Sequence, residues 1–114
     1  METDRFLAEK FLDEPIYYGE FPLVFVDVGV YKTWHPTTDI AQCFEYVVPK
    51  MRERGYAIML DYYCEGAMDE TLGWQWYVSF YIDGGPNDAG ASHNASPAAA
   101  ICAAARAALE SEGE

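Results

Sequence analysis

Two histidines, three cysteines and a surplus of acids are what this chain offers for chemistry. His35 and His93 are metal-ligand types, but a site would need them beside Asp39 or Cys64, and no ligand spacing in the sequence brings those together. Cys43, Cys64 and Cys102 form neither a C-x-x-C nor a zinc pattern, so they read as buried, reduced thiols of a cytosolic protein. Asp61 and Glu65 come nearest to a general acid–base pair. Four apart on a strand, they share a face yet sit more than ~13 Å apart, which makes them two solvated carboxylates. Gly84, Gly85 and Gly90 have neither Walker nor dinucleotide spacing. No serine or cysteine stands in a recognisable nucleophile setting. The expectation is a protein that is not an enzyme, with no cofactor and no metal.

The residues suited to binding are tyrosines and acids. Tyr63, Tyr77 and Tyr81 fall on the outward face of two consecutive strands, and tyrosine is large, rigid and half polar, as binding surfaces favour. Glu65, Asp69 and Glu70 crowd the connection between those strands. Two readings of the tyrosines stay open here. Either they form an exposed anchor surface, or the N-terminal helix and the 16–31 segment cover them as core.

Those strands organise the chain. Residues 56–64 and 74–82 both alternate with period 2. Tyr56, Ile58, Leu60 and Tyr62 share one face with Trp74, Trp76, Val78, Phe80 and Ile82, and that face is expected to be covered. Ahead of them, Thr37-Thr38-Asp39 caps a helix running to Arg54, with a stripe of Ile40, Phe44, Val47, Val48 and Met51. Gly55 fits a left-handed C-cap. Pro49 breaks the pattern and should kink the helix. After the strands, residues 90–95 suit a short third strand. Ser96-Pro97 then opens an alanine-rich helix to about Ser111. Residues 3–12 suit a short helix, and Leu23 to Val28, bracketed by Pro22 and Gly29, an edge strand or ordered arm.

The fold class is therefore α+β, an antiparallel sheet with packed helices in an α/β/α-type sandwich. It forms one domain over 1–114, with a helix and arm at 1–37 and an α-β-β-β-α core at 38–111. Because helix 39–54 runs antiparallel to strand 56–64, both main helices should start at the end of the domain that carries the 65–73 connection, together with Asp39, Glu65, Asp69 and Glu70.

The net charge is −12, while 51% of residues are hydrophobic and 16% aromatic, so the chain is no disordered acidic tail. The charge opposes direct nucleic-acid binding, which needs Lys and Arg on phosphates. It suits solubility, or a partner with a basic surface. The start of the sequence lacks a signal-peptide pattern, and no stretch is long enough to span a membrane.

Thr38-Asp39-Ile40-Ala41, then Val47-Val48, Met51-Arg52-Glu53-Arg54-Gly55-Tyr56, a Trp-rich strand, and Ser96-Pro97-Ala98-Ala99-Ala100-Ile101-Cys102-Ala103-Ala104-Ala105 together resemble the phage ABA sandwich domain. Leu7-Ala8-Glu9-Lys10 is similar to the short helix that often precedes it. The resemblance covers roughly 38–110 and departs at 16–31 and at Pro49. It implies a sheet sandwiched with helices and a bacteriophage source, and it supplies no catalytic motif. On it rests the expectation of a phage accessory protein in the host bacterial cytoplasm. Such a protein would bind a host protein, such as a CRISPR effector or other defence component, through Tyr63, Tyr77, Tyr81, Glu65, Asp69 and Glu70. Alternatives are a sequestering protein for a small nucleotide signal, with Lys32, Arg52, Arg54 and Arg106 as the available cations, or a phage structural or assembly protein. A homodimer is compatible with each.

Overall fold

The computed structural model describes residues 2–12, 16–18, 21–27, 29–64, 74–82 and 88–112. The fold is mixed α+β with antiparallel sheets and packed helices. Helix α1 (Glu2–Phe11) leads into a three-stranded sheet of β1 (Ile16–Tyr18), β2 (Phe21–Asp27) and β3 (Val30–Trp34), in that order. Helix α2 follows in three consecutive pieces, Ile40–Gln42, Cys43–Val47 and Val48–Glu53. A second sheet holds β4 (Tyr56–Cys64), β5 (Trp74–Ile82) and β6 (Asp88–Asn94), in that order, and α3 (Pro97–Glu112) closes the described chain. The 16–31 segment, expected as one edge strand or an arm, is thus most of a separate small sheet. Gly29, at φ +79°, supplies the left-handed turn between β2 and β3.

The second sheet is built as its period-2 pattern predicts. β4 and β5 pair over nine residues without a register shift, placing Ile58 opposite Phe80 and Leu60 opposite Val78. β5 pairs with β6 so that Phe80 faces Gly90, and the register slips between Phe80 and Tyr81. Gly90 is the point of closest approach. A Cβ built there would run into the α3 backbone at Ala108 N and Ala104 O. Alanines along α3 make the same allowance from the other side: Ala98, Ala100, Ala104, Ala105 and Ala108 are buried with Ile101, Cys102 and Leu109. The helix therefore lies against the Val78/Phe80 face of β5 and β6.

α2 runs beside α3 in the same direction. At the start, Cys43 Sγ lies 3.7 Å from both Ala98 O and Cys102 Sγ. At the far end, Arg54 donates to Glu112 Oε2 at 3.0 Å and Tyr56 Oη donates to Glu112 Oε1 at 2.7 Å. Both helices thus begin at the same end of the domain, as the connectivity predicts. The expected caps are present. Asp39 Oδ1 accepts from Ala41 N at 3.0 Å, Ser96 Oγ from Ala99 N at 3.3 Å, and Gly55 has φ +96°.

Pro49 acts on α2 through a π turn. Cys43–Val47 is π-helical, with the Val48 N–H reaching back five residues to Cys43 O. The wider turn relieves the clash between a proline ring and the carbonyl of the preceding turn. It also rotates the helix ahead of it. Cys43, Val47, Val48 and Met51 are buried, whereas Ile40 and Phe44 of the expected stripe are exposed.

α1 and the first sheet pack on the outer side of this helix layer. Leu7, Ala8 and Phe11 are buried in the core, and α1 contacts α3 and the π turn. Phe25 and Trp34 meet Tyr46 of α2 edge to face, with ring centroids 5.2 and 5.9 Å from it. The buried carboxylate of Asp4 holds the joint. It accepts from Thr37 N at 3.0 Å and Thr37 Oγ1 at 2.8 Å, while Asp4 O accepts from Trp34 Nε1 at 2.7 Å. Arg106 ties α3 to α1 by a 2.8 Å bond to Glu2, which holds the Glu2 carboxyl below its usual range.

The apolar face of β4 and β5 is covered only in part. Tyr56, Val78 and Phe80 are buried and Trp76 is half-buried, but Leu60, Tyr62 and Ile82 are exposed. Two helices side by side cover Tyr56, Val78 and Phe80 but do not extend over Leu60, Tyr62 and Ile82. Phe80→Ala is accordingly expected to cost ~3–5 kcal/mol, and Trp76→Ala distinctly less, by urea unfolding. Equal losses would contradict this coverage.

A second expectation is alkaline. Burial, and then the hydrogen bond to the Glu112 carboxylate, push the Tyr56 phenol from its usual value of 10.0 up to about 12. The folded state holds that proton more tightly than the unfolded one. The contribution is therefore complete below pH 10 and lost towards pH 12, at up to ~1.4 kcal/mol per pH unit. Tyr56→Phe should flatten this loss in unfolding measured across that window.

Candidate functional site

The opposite face of the second sheet carries the tyrosines singled out from sequence. By alternation, Tyr77, Ser79 and Tyr81 of β5 share it with Ala57, Met59 and Asp61 of β4 and Ala91 and His93 of β6. Tyr77 lies opposite Asp61 on one side and His93 on the other. Met59, Asp61, Ala91 and His93 are exposed, and Tyr77 and Tyr81 are half-buried. Tyr63 belongs to the same face, opposite Gln75, with its side chain outside the described ones. Glu65, Asp69 and Glu70 lie outside the described residues.

The covering that would have made these tyrosines core is not where α1 and the first sheet go. Both lie beyond the helix layer, on the far side of α2 and α3. Their described apolar side chains pack there: Leu7, Ala8 and Phe11 in the core with the helices, Phe25 and Trp34 on Tyr46.

Ser79 lies at the centre of the face. It is fully buried beneath its neighbours, and its hydroxyl has no hydrogen-bond partner among the described residues. A buried hydroxyl left without a partner costs on the order of 1–3 kcal/mol.

The other chemical candidates are dispersed. Among the described residues no group of three or more His, Cys, Asp or Glu is placed to hold a metal. His35 Nδ1 lies 3.3 Å from Thr38 Oγ1 in the turn before α2, while His93 is across the second sheet on β6. Cys43 and Cys102 are free and buried, and the thiol of Cys43 beside it, with burial, pushes the Cys102 thiol up, which keeps it protonated and unreactive. Of the cations available to an anionic ligand, Arg54 is paired with Glu112 and Arg106 with Glu2 and Glu110, and Lys32 Nζ donates to Tyr46 Oη at 3.2 Å. None of these stands on the tyrosine face.

Sequence reasoning missed a second uncovered region. Ile40 and Phe44 on α2 and Leu60 and Tyr62 on β4 are all large, apolar and exposed. Tyr62 stacks on Trp76 at 4.7 Å between ring centroids. Pro49 was the available signal, because a proline late in a helix requires a local change of hydrogen bonding upstream, and that change decides which residues face inward.

No helix among the described residues is long and apolar enough to cross a membrane. Comparison with protein-family models, with curated proteins and with solved structures finds no match.

Ser79→Ala removes the orphaned hydroxyl and should raise stability by ~1 kcal/mol, read as a higher urea midpoint. A drop of that size would mean that the hydroxyl has a partner on this face.

Proposed function

We propose that this protein works by binding another protein, and that its tyrosine-bearing sheet face and its acids dock on a basic surface of that partner. The single observation that carries the reading is the location of Met59, Asp61, Tyr77 and Tyr81. They lie on the sheet face turned away from every packed helix contact described above, in a chain of net charge −12. Rigid strands present the aromatic anchors, and the charge speeds encounter with a cationic surface. Nucleic-acid-handling enzymes offer such a surface, since they line their channels with cations for phosphate.

The finer reading is a phage accessory protein that blocks a host defence protein such as a CRISPR effector, in the bacterial cytoplasm, without touching nucleic acid itself. It rests on the resemblance of 38–110 to the phage ABA sandwich domain and on the charge. Glu65, Asp69 and Glu70 are its charge donors, and Tyr63, Tyr77 and Tyr81 its anchors.

The test is affinity capture from a bacterial host, followed by binding to the purified partner. Recovery of a nuclease or other defence component is expected. Tyr77→Ala with Tyr81→Ala should weaken binding at least tenfold. Reversal of Glu65, Asp69 and Glu70 to Lys should slow association, as should added salt. Binding indifferent to all three changes would leave the charge as a matter of solubility and overturn the mechanism.

A further inference from the structure

β4 and β6 are the two outer strands of the second sheet, and they are built differently. β6 is blunted. It is made of small and polar residues from Asp88 to Asn94, its pairing slips beside Phe80, and α3 lies over it. β4 lies under the end of α2 but lacks the other two protections. It is nine residues long, its pairing with β5 is unbroken, and among the described residues no strand pairs with its other edge. A long, regular, apolar edge of this kind is a template for another strand.

Exposed apolar side chains lie along β4 and on α2. Met59 is 46% exposed, Leu60 38% and Tyr62 51%, all on β4; Ile40 is 40% exposed and Phe44 49%, on α2. α2 has α3 on one flank, the sheet beneath it and the first sheet with α1 above it. Val48–Glu53 of α2 contacts β4, and Ile40 and Phe44, one turn apart nearer the start of α2, stand on no flank that the described contacts occupy.

We propose that two copies of this chain pair through β4, antiparallel about a two-fold axis at Leu60, and merge their sheets into one of six strands. A second copy fits this edge better than a basic partner does. Asp61 is the sole charge in β4, so a cationic strand finds one carboxylate to pair with. In the two-fold register Asp61 faces Met59 of the other copy, Ile58 faces Tyr62, and Leu60 faces itself. No like charges oppose each other, although each copy carries −12 overall. The inner faces of the two β4 strands continue as one apolar stripe, roofed by the Ile40 and Phe44 flanks of both α2 helices.

The area suffices. With large side chains at roughly 200 Å² each, the exposed parts of these five side chains come to on the order of 500 Å². The backbone and stems of the edge strand bring each copy towards the ~800 Å² that a stable dimer buries per partner. The tyrosine face remains open on both copies, so the dimer would present two binding faces on one continuous sheet.

Light scattering on the eluting purified chain tests this without any host component, independently of the proposed partner. The expected mass is twice 12.8 kDa. Leu60→Lys sets a charge against itself at the axis and should halve the mass. Met59→Glu, which sets a second carboxylate against Asp61 of the other copy, should weaken the dimer at least tenfold in sedimentation. Circular dichroism checks that both variants stay folded. Should either unfold, hydrogen exchange on the unmodified protein decides: amides within 57–63 should gain protection as concentration rises. A monomer at every concentration, a dimer indifferent to folded Leu60→Lys, or exchange in 57–63 independent of concentration would each overturn the proposal.

Discussion

The close approach of α3 to the second sheet at Gly90 is the contact on which the rest of the structure depends. A Cβ at residue 90 would occupy the space of the α3 backbone at Ala104 and Ala108, so glycine on the strand and alanine on the helix are needed together. Such packing extracts burial from closeness rather than from large side chains. Once α3 is seated on the Phe80 face, α2 has one place left beside it, above β4. The two helices then offer a common outer surface, and α1 and the first sheet settle there. That no described helix packs on the opposite face of the sheet follows from this arrangement.

The π turn in α2 is the second constraint. Pro49 has no amide hydrogen to give and a ring that crowds the turn before it. The chain answers by widening Cys43–Val47, with Val48 N–H bonding to Cys43 O. Cys43 thereby turns into the core against Cys102, and Phe44 turns out of it. One proline thus decides both a buried thiol contact and an exposed phenyl ring. Its effect is felt five residues upstream, where a regular 3.6-residue stripe would have placed Phe44 inside.

The elements were legible where a local signal was strong. Period-2 runs placed β4 and β5, Ser96-Pro97 placed the start of α3, and Asp39 and Gly55 framed α2. The direction of the helices also followed from connectivity alone, and the Cys43–Ala98 and Arg54–Glu112 contacts realise it. Less legible was coverage. Alternation tells which residues share a face, but how far a helix layer reaches depends on helix number, diameter and tilt. Leu60, Tyr62 and Ile82 therefore read as core and emerge exposed, whereas Val78 and Phe80, at the centre, are buried. The 16–31 segment showed strand composition, yet its partner strands were not specified by any spacing in it. Of the binding face, the common side of Tyr77 and Tyr81 was legible; the buried hydroxyl of Ser79 between them was not, since its environment is made by three strands at once.

Two surfaces of opposite character result from one sheet. The outer face is polar and aromatic, with Asp61 and His93 flanking Tyr77. The β4 edge is nearly chargeless. In a protein with this much net negative charge, copies repel one another almost everywhere, and a charge-poor strip is where that repulsion is locally weakest. A cationic partner experiences the reverse, with attraction over the acidic surface and little at the edge. On the two proposed readings, like copies would meet at the charge-poor β4 edge and a basic protein at the tyrosine face. Strand pairing leaves the side chains of the outer face free, because the ladder uses only backbone groups in the plane of the sheet. On the two proposals, self-association and binding would share Met59 and Asp61 but leave Tyr77 and Tyr81 to the partner alone.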